Sequence, residues 1–302
     1  MNVLEIHNLS KTYKGKKAVN SLNFTLTEGK CTALLGPNGA GKTTTLNMIS
    51  GLISPTKGTI QSPLISPNSD VRTIIGYLPQ YPSFYDWMSG EEYLNFIGRL
   101  TIANKNEIEK RMNELIEIVG LTEGRNRRIG QYSGGMRQRL GIAQALIHQP
   151  KLIILDEPVS ALDPFGRREV IELMKKLKKD TTILFSTHIL NDAEEVCDHV
   201  LFLNDGRLIE DDEVNKVQDK HSSNIIRLKF SGNIEYFLKL LEKENWVENL
   251  MIKGSELIMH VDNDKTAREK LLKMADEGKW PLVSFEIGRL NLEEIFTKVV
   301  RG

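Results

Sequence analysis

The sequence predicts an α/β protein in two parts: a domain wound around a parallel sheet over residues 1 to about 215, and a small α+β unit over residues 222–302. Three observations carry this. Lys151-Leu-Ile-Ile-Leu-Asp-Glu157 is a continuous apolar run ending in two carboxylates, the pattern of a central parallel strand buried on both faces with polar groups at its C-terminal edge. Gly36-Pro-Asn-Gly-Ala-Gly-Lys-Thr43 is a glycine-rich loop set between an apolar stretch, Cys31 to Leu35, and a helix-like stretch, Thr43 to Ser50. After residue 224 the periodicity runs strand, helix, strand, strand, helix, strand, an order compatible with a ferredoxin-like unit.

Taken in order, Val3–Leu9 and Leu22–Leu26 alternate apolar with polar residues, as half-buried antiparallel strands do, with turns expected at Lys14-Gly15 and Glu28-Gly29. Gly51 suits a helix C-terminus, Pro55 to Gly58 reads as a turn, and Gln61 to Asp70 as a surface loop. A β-rich run, Thr73–Leu78, delivers Pro79-Gln80. The next segment, Tyr81 to Met88, holds four aromatics, which either pack under the following helices or form an exposed docking patch. Ser89 with Glu92, and Asn104 with Glu107, have capping-box spacing ahead of apolar residues at helical intervals, so a helical subdomain interrupts the α/β pattern at about 86–135. Met136–His148 is again helix-like. Asp163-Pro164 opens another helix, and Thr181–Phe185 is a strand ending in Ser186-Thr-His188. Val200–Leu203 and Arg207–Ile209 flank Asn204-Asp-Gly206 as a hairpin. Asp211–Ser223 is charged and reads as a linker. The second unit then follows as Ile225–Phe230, Ile234–Lys243, Trp246–Ile252, Glu256–Val261, Lys265–Glu277, Leu282–Glu286 and a closing helix, Leu292–Val300.

Composition narrows the function. The 302 residues include 40 basic and 40 acidic ones, so no net field draws the chain to nucleic acid or an anionic membrane surface, and no nucleic acid is expected. The two cysteines, Cys31 and Cys197, are far apart and outside any C-x-x-C pattern, which fits buried, reduced thiols in a cytosolic protein. No secretory leader is expected before Ser10, and no apolar run is long enough to cross a bilayer, so any membrane role is borrowed from a partner.

The loop 36–43 has the spacing G-x-x-x-x-G-K-[ST] between strand and helix, which makes Gly36, Asn38, Gly39, Ala40, Gly41, Lys42, Thr43 and Thr44 candidates for holding a nucleotide. Backbone N–H groups turn inward around an anion, Lys42 reaches the terminal phosphates, and the Thr43 hydroxyl is a ligand for Mg²⁺. At the end of the buried strand, Asp156 can hold the metal and Glu157 can deprotonate an attacking water, while His188 on a neighbouring strand can hydrogen-bond the γ-phosphate.

Ser133-Gly-Gly135 just before a helix, Gln80 after a strand, Asp156-Glu157, Ser160-Ala-Leu-Asp163 and Ser186-Thr-His188 stand in the order of the signature motif, Q-loop, Walker B, D-loop and switch histidine of the ATP-binding subunits of ABC transporters. Residues 1 to about 215 resemble that family, with Tyr132-Ser-Gly-Gly-Met136 in place of the common L-S-G-G-Q. This variant and the ending Leu290-Asn-Leu-Glu-Glu-Ile-Phe296 look like the ABC-2 exporter branch. The resemblance implies a P-loop NTPase cassette with a β layer, a parallel-sheet core and a helical subdomain, binding ATP and Mg²⁺. It assigns Tyr13 to stacking on adenine, Thr43, Gln80 and Asp156 to Mg²⁺, Glu157 to the general base with His188 and Gln80 beside the γ-phosphate, and Asp163 to the nucleotide interface. It gives Ser133, Gly134 and Gly135 to ATP held by an opposite subunit, hence a second copy or a paralogous ATPase as partner. An integral membrane permease is the other implied partner, with the chain peripheral on the cytoplasmic face. Two further readings stay open: an importer ATPase with a regulatory C-terminal domain, and an ABC ATPase acting on ribosomes or DNA.

Overall fold

In the computed structural model the described residues are all of 1–302 except Pro67, Asn68, Ala103, 222–224, Asn233, Arg289 and Gly302; of Asp264 and Arg301 the backbone alone is described. Contacts divide the chain into Met1–Val214 and Asn215–Gly302.

The first unit begins with β1 (Asn2–Tyr13) and β2 (Lys16–Thr27), an antiparallel pair longer than the alternating residues alone indicate. Lys14 and Gly15 both take positive φ at their turn, the geometry that matches the twist of a hairpin. Then come β3 (Cys31–Leu35), entirely buried, α1 (Lys42–Ile49) and β4 (Lys57–Gln61), which pairs with β1 to give the sheet order β2-β1-β4. Lys57 and Gly58, expected in a turn, are already strand. α1 packs in a core shared by this layer and the main sheet: Leu46 and Ile49 are fully buried with Leu4, Leu26, Leu34, Leu152, Ile154 and Leu201. Each such side chain contributes about 2 kcal/mol on burial.

β5 is Ile75–Leu78; Thr73 and Ile74, expected in that strand, close a 3₁₀ turn whose first N–H groups are capped by Asp70. The segment expected as a helical subdomain holds α2 (Gly90–Thr101), α3 (Lys105–Ile118) and the start of α4 (Gly134–Leu146). Ser89 and Glu92 form the full capping box, worth about 1 kcal/mol, whereas the Asn104 side chain accepts from the N–H of Asn106 rather than from Glu107. The expected apolar stripe, Ile108, Met112, Leu115, Ile116 and Val119, is buried.

β6 (Leu152–Asp156), α5 (Pro164–Leu177), β7 (Thr182–Thr187), α6 (Leu190–Val196), β8 (His199–Asn204) and β9 (Arg207–Glu213) complete the unit. The main sheet has the order β5-β6-β7-β3-β8-β9, parallel except for β8 with β9. β7 runs through Ser186 and Thr187, with His188 just past its end. The segment read as a linker is ordered: β9 runs to Glu213 and α7 (Val214–His221) follows, while Ser222 and Ser223 lie outside the described residues. Cys31 and Cys197 are free and buried, and burial pushes both thiols up.

The second unit contains β10 (Ile225–Phe230), α8 (Ile234–Leu241), β11 (Val247–Lys253), β12 (Glu256–Val261), α9 (Asp264–Glu277), β13 (Leu282–Gly288) and α10 (Leu292–Arg301). The antiparallel order β11-β12-β10-β13 is the ferredoxin-like arrangement expected from the sequence. Phe230 stacks on Phe237 at 4.2 Å between centroids, with Trp280 against both. On α10, Glu294 pairs with Arg227 of β10 at 2.6 Å and exchanges hydrogen bonds with Asn291.

Candidate functional site

β3, β6 and β7 end side by side at one edge of the main sheet, and the loop after β3 turns there into α1. Gly39 and Gly41 take φ of +84° and +105°, which glycine adopts without a Cβ clash. Gly36 is required for another reason: a Cβ there would lie 2.2 Å from the Leu203 carbonyl oxygen of β8. α1 starts at Lys42 with no side-chain cap, so its first N–H groups are left for an anion. Around this turn is a cavity of about 300 Å³ lined by Ala18, Asn38, Gly39, Gly41, Lys42, Thr43, Thr44, Gln80 and Glu157. Ala40 does not line it; buried, it bonds Pro37 O and the N–H of Gly206.

Lys42 is at the centre. Its ammonium donates to the carbonyls of Gly36 (2.8 Å) and Pro37 (3.3 Å) and lies 3.3 Å from Glu157 Oε1, with both charged side chains only 6% exposed. The other Glu157 oxygen meets His188 Nδ1 at 2.8 Å. Glu157 leaves β6 with φ +50°, a left-handed conformation that turns its side chain back over the loop. Its N–H donates to Ser186 Oγ at 2.9 Å, and that hydroxyl donates to Asp156 Oδ1.

Asp156 is buried, which pushes its carboxyl up; hydroxyls of Ser186 and Thr43 act in the opposite direction, and the charge of Glu157 raises it further. Its second oxygen, Oδ2, is buried with no partner among the described residues. A buried carboxylate oxygen without a donor, next to the Thr43 hydroxyl, is a set of hard oxygen ligands that fits Mg²⁺.

Not every expected residue converges here. Tyr13, at the end of β1, is half exposed under the Lys11 ammonium, 5.2 Å from its ring centre, and does not line the cavity. Ser133 caps α4 through the N–H of Met136, Gly135 packs against Gly166, and Asp163 caps α5 through the N–H of Gly166. Ser133, Gly134, Gly135 and Asp163 thus gather where α4 and α5 begin, away from the lining of the cavity. Met136 places its methyl against Gly124, beside Tyr132. Two residues of the site were given no role from the sequence: Ala18, which lines the cavity, and Ser186, named only as the start of Ser186-Thr-His188. For Ser186 the signal was present: a polar residue next to Thr187 and His188 in the strand beside Asp156.

The ABC transporter family model matches residues 19–160, and that of the C-terminal domain of the DrrA1-3-like ATP-binding proteins matches residues 213–300. An uncharacterised ABC transporter ATP-binding protein of Bacillus subtilis, YxlF, is 44% identical over 99% of this chain and 100% of its own length. The bacitracin transport ATP-binding protein BcrA of Bacillus licheniformis is 32% identical over 99% of this chain and 98% of its own. Among solved structures, a dimeric ATP-binding cassette in a post-hydrolysis state with ADP and Pi bound has a TM-score of 0.62 and 28% identity, covering 70% of this chain and 98% of that one.

The buried ion pair makes a prediction about stability. Lys42→Met leaves a largely buried Glu157 with one oxygen short of its partner, and is expected to lower the unfolding free energy without nucleotide by about 2 kcal/mol. Urea unfolding measures this; an unchanged midpoint contradicts the pairing.

Proposed function

The chain belongs to the ATP-binding subunits of ABC transporters and is an ATPase of that family, and we propose that it drives export through a separate membrane-embedded permease. The observation that carries the reading is the meeting of Lys42 and Glu157 in one cavity at the start of α1, with His188 bonded to the second Glu157 oxygen. The ammonium of Lys42 exchanges its carbonyl and carboxylate partners for the terminal phosphates of ATP. Glu157, released from Lys42, accepts the proton of the attacking water, and His188 holds Glu157 and the γ-phosphate in register. Thr43, Gln80 and Asp156 would hold Mg²⁺, which neutralises charge on the phosphate oxygens when bound. Asn38, Thr44 and the N–H groups of Gly39 to Gly41 cradle the phosphates, and Tyr13 stacks on the adenine.

Ser133 to Gly135 and Asp163 lie outside the cavity, which supports their use on ATP held by a second copy or a paralogous ATPase. Residues 1–215 form the cassette in this reading, with the helical subdomain at about 86–135, and residues 222–302 act as an accessory domain. The match of the DrrA-like C-terminal domain and the similarity to a bacitracin transport protein support export over the importer reading. Among the described residues no helix is long and apolar enough to cross a membrane, so the permease supplies the membrane span and the chain sits against its cytoplasmic face. Docking falls to the aromatic loop: Phe84 is half-buried edge-on to Tyr93, but Tyr85 and Trp87 are 50% and 67% exposed beside an open cavity that reaches Phe96 and Arg99.

Glu157→Gln is expected to bind ATP, to hydrolyse it about 100-fold or more slowly, and to elute as a dimer with ATP and as a monomer without it. Turnover at the wild-type rate removes Glu157 as the base; a monomer at saturating ATP removes the homodimer. Purification in mild detergent is expected to retain an integral membrane protein with the wild-type chain. Tyr85→Ser with Trp87→Ser is expected to lose it while binding ATP as before, and undiminished retention sends docking to another surface.

A further inference from the structure

The hydroxyl of Ser186 bridges the two carboxylate residues at the end of β6. It sits at the end of β7, fully buried, in register with Asp156 on the parallel strand β6. Its oxygen accepts the N–H of Glu157 at 2.9 Å, and its hydrogen goes to Asp156 Oδ1. One small group therefore touches both carboxylate residues of the site, one through its backbone and the other through its side chain.

Each contact fixes something the chemistry needs. Glu157 departs from β6 in the left-handed region, which costs a residue with a Cβ roughly 1–2 kcal/mol and persists only where its surroundings hold it. The bond from its N–H to Ser186 is such a hold, because that N–H lies where the strand ladder ends and in a buried setting. Without an acceptor it would favour a return to extended backbone, which swings the Glu157 carboxylate off Lys42 and His188. The second contact occupies Asp156 Oδ1 and leaves Oδ2 as the buried oxygen without a partner. The face of Asp156 turned to a cation is thereby chosen. A hydroxyl accepts from the amide and donates to the carboxylate through a single atom, which a methyl cannot do.

We infer that Ser186 is a positioning residue for hydrolysis: it holds Glu157 in its left-handed conformation and sets which oxygen of Asp156 is free. Among the described residues no hydrogen bond joins Ser186 to Lys42 or to the loop 36–41, so its loss is read on the hydrolytic step and not as a loss of nucleotide affinity. The inference rests on the reading of Glu157 as the base.

The test compares Ser186→Thr with Ser186→Val in the full chain, two side chains of nearly the same shape that differ in the hydroxyl, with Ser186→Ala as a variant that adds no bulk. Val and Ala are expected to lower kcat by about 10- to 100-fold, as small misplacements of catalytic groups do, and to raise the Mg²⁺ concentration for half-maximal turnover. Their ADP affinity, read by calorimetry without Mg²⁺, is expected not to fall below that of wild type, since the loop 36–41 is unchanged and a displaced Glu157 competes less for Lys42. Thr is expected to stay within about threefold of wild-type kcat. Glu157→Gln is assayed beside them. A slow Glu157→Gln with Val and Ala at wild-type kcat overturns the role of Ser186 alone, and so does Thr as slow as Val. Wild-type turnover in Glu157→Gln overturns the reading of the base beneath it.

Discussion

A buried ammonium facing a buried carboxylate, Lys42 to Glu157, is the constraint on which the site depends. Two opposite charges, each 6% exposed, stand 3.3 Å apart at the edge of the main sheet. Removing either partner strands the other in a poorly solvated place, at a cost of about 3–5 kcal/mol in fully buried pairs and less where a cavity admits water. The pair is therefore kept, and the fold supplies what keeps it: the carbonyls of Gly36 and Pro37 take two of the three ammonium hydrogens, and His188 takes the second carboxylate oxygen. The ammonium is thus fully satisfied as it stands, and Gly39 and Gly41 already hold the loop turned by their positive φ.

This arrangement links the chemistry to the architecture. β3 delivers the loop, β6 delivers Asp156 and Glu157, and β7 delivers Ser186 and His188, and the parallel order β6-β7-β3 brings the three strand ends to one edge. In the proposed reading a bound phosphate competes with Glu157 for Lys42, so that arrival of the nucleotide frees the base. The same cavity omits the N-terminal turn of α4, where Ser133 is engaged with its own helix. In the proposed reading a cavity lined by Lys42 and Glu157 but not by Ser133 to Gly135 is completed by a second copy.

Much of this was legible in the sequence where a local rule decides the outcome. The buried strand before Asp156, the Ser89 and Glu92 cap, the positive φ at Gly51 and the order of the second unit all follow from patterns within a few residues. What tertiary contacts decide was not legible. Thr73 and Ile74 have strand-like side chains, yet Asp70 caps them into a 3₁₀ turn by a local bond that outcompetes the ladder. Asp211 to Glu213 look like linker, but pairing with β8 makes them strand whatever their intrinsic preference. α6, only Leu190–Val196, lacks the length for a clear periodic signal. Within the site, Lys42, Thr43, Asp156, Glu157 and His188 could be named because each closes a motif, and Gln80 and Asn38 line the same cavity. The left-handed backbone of Glu157 and the hydroxyl bridge at Ser186 could not, since both exist only when β6 and β7 lie side by side.

The claim that phosphate takes the place of Glu157 on Lys42 is tested most directly by measuring the affinity of the unmodified chain for AMP, ADP and ATP by calorimetry in one buffer. AMP shares the adenine, the ribose and the first phosphate but does not carry the terminal phosphates that reach Lys42. The account predicts AMP to bind at least about tenfold more weakly than ADP and ATP. Equal affinity for all three would contradict it, because the buried pair would then play no part in holding the nucleotide.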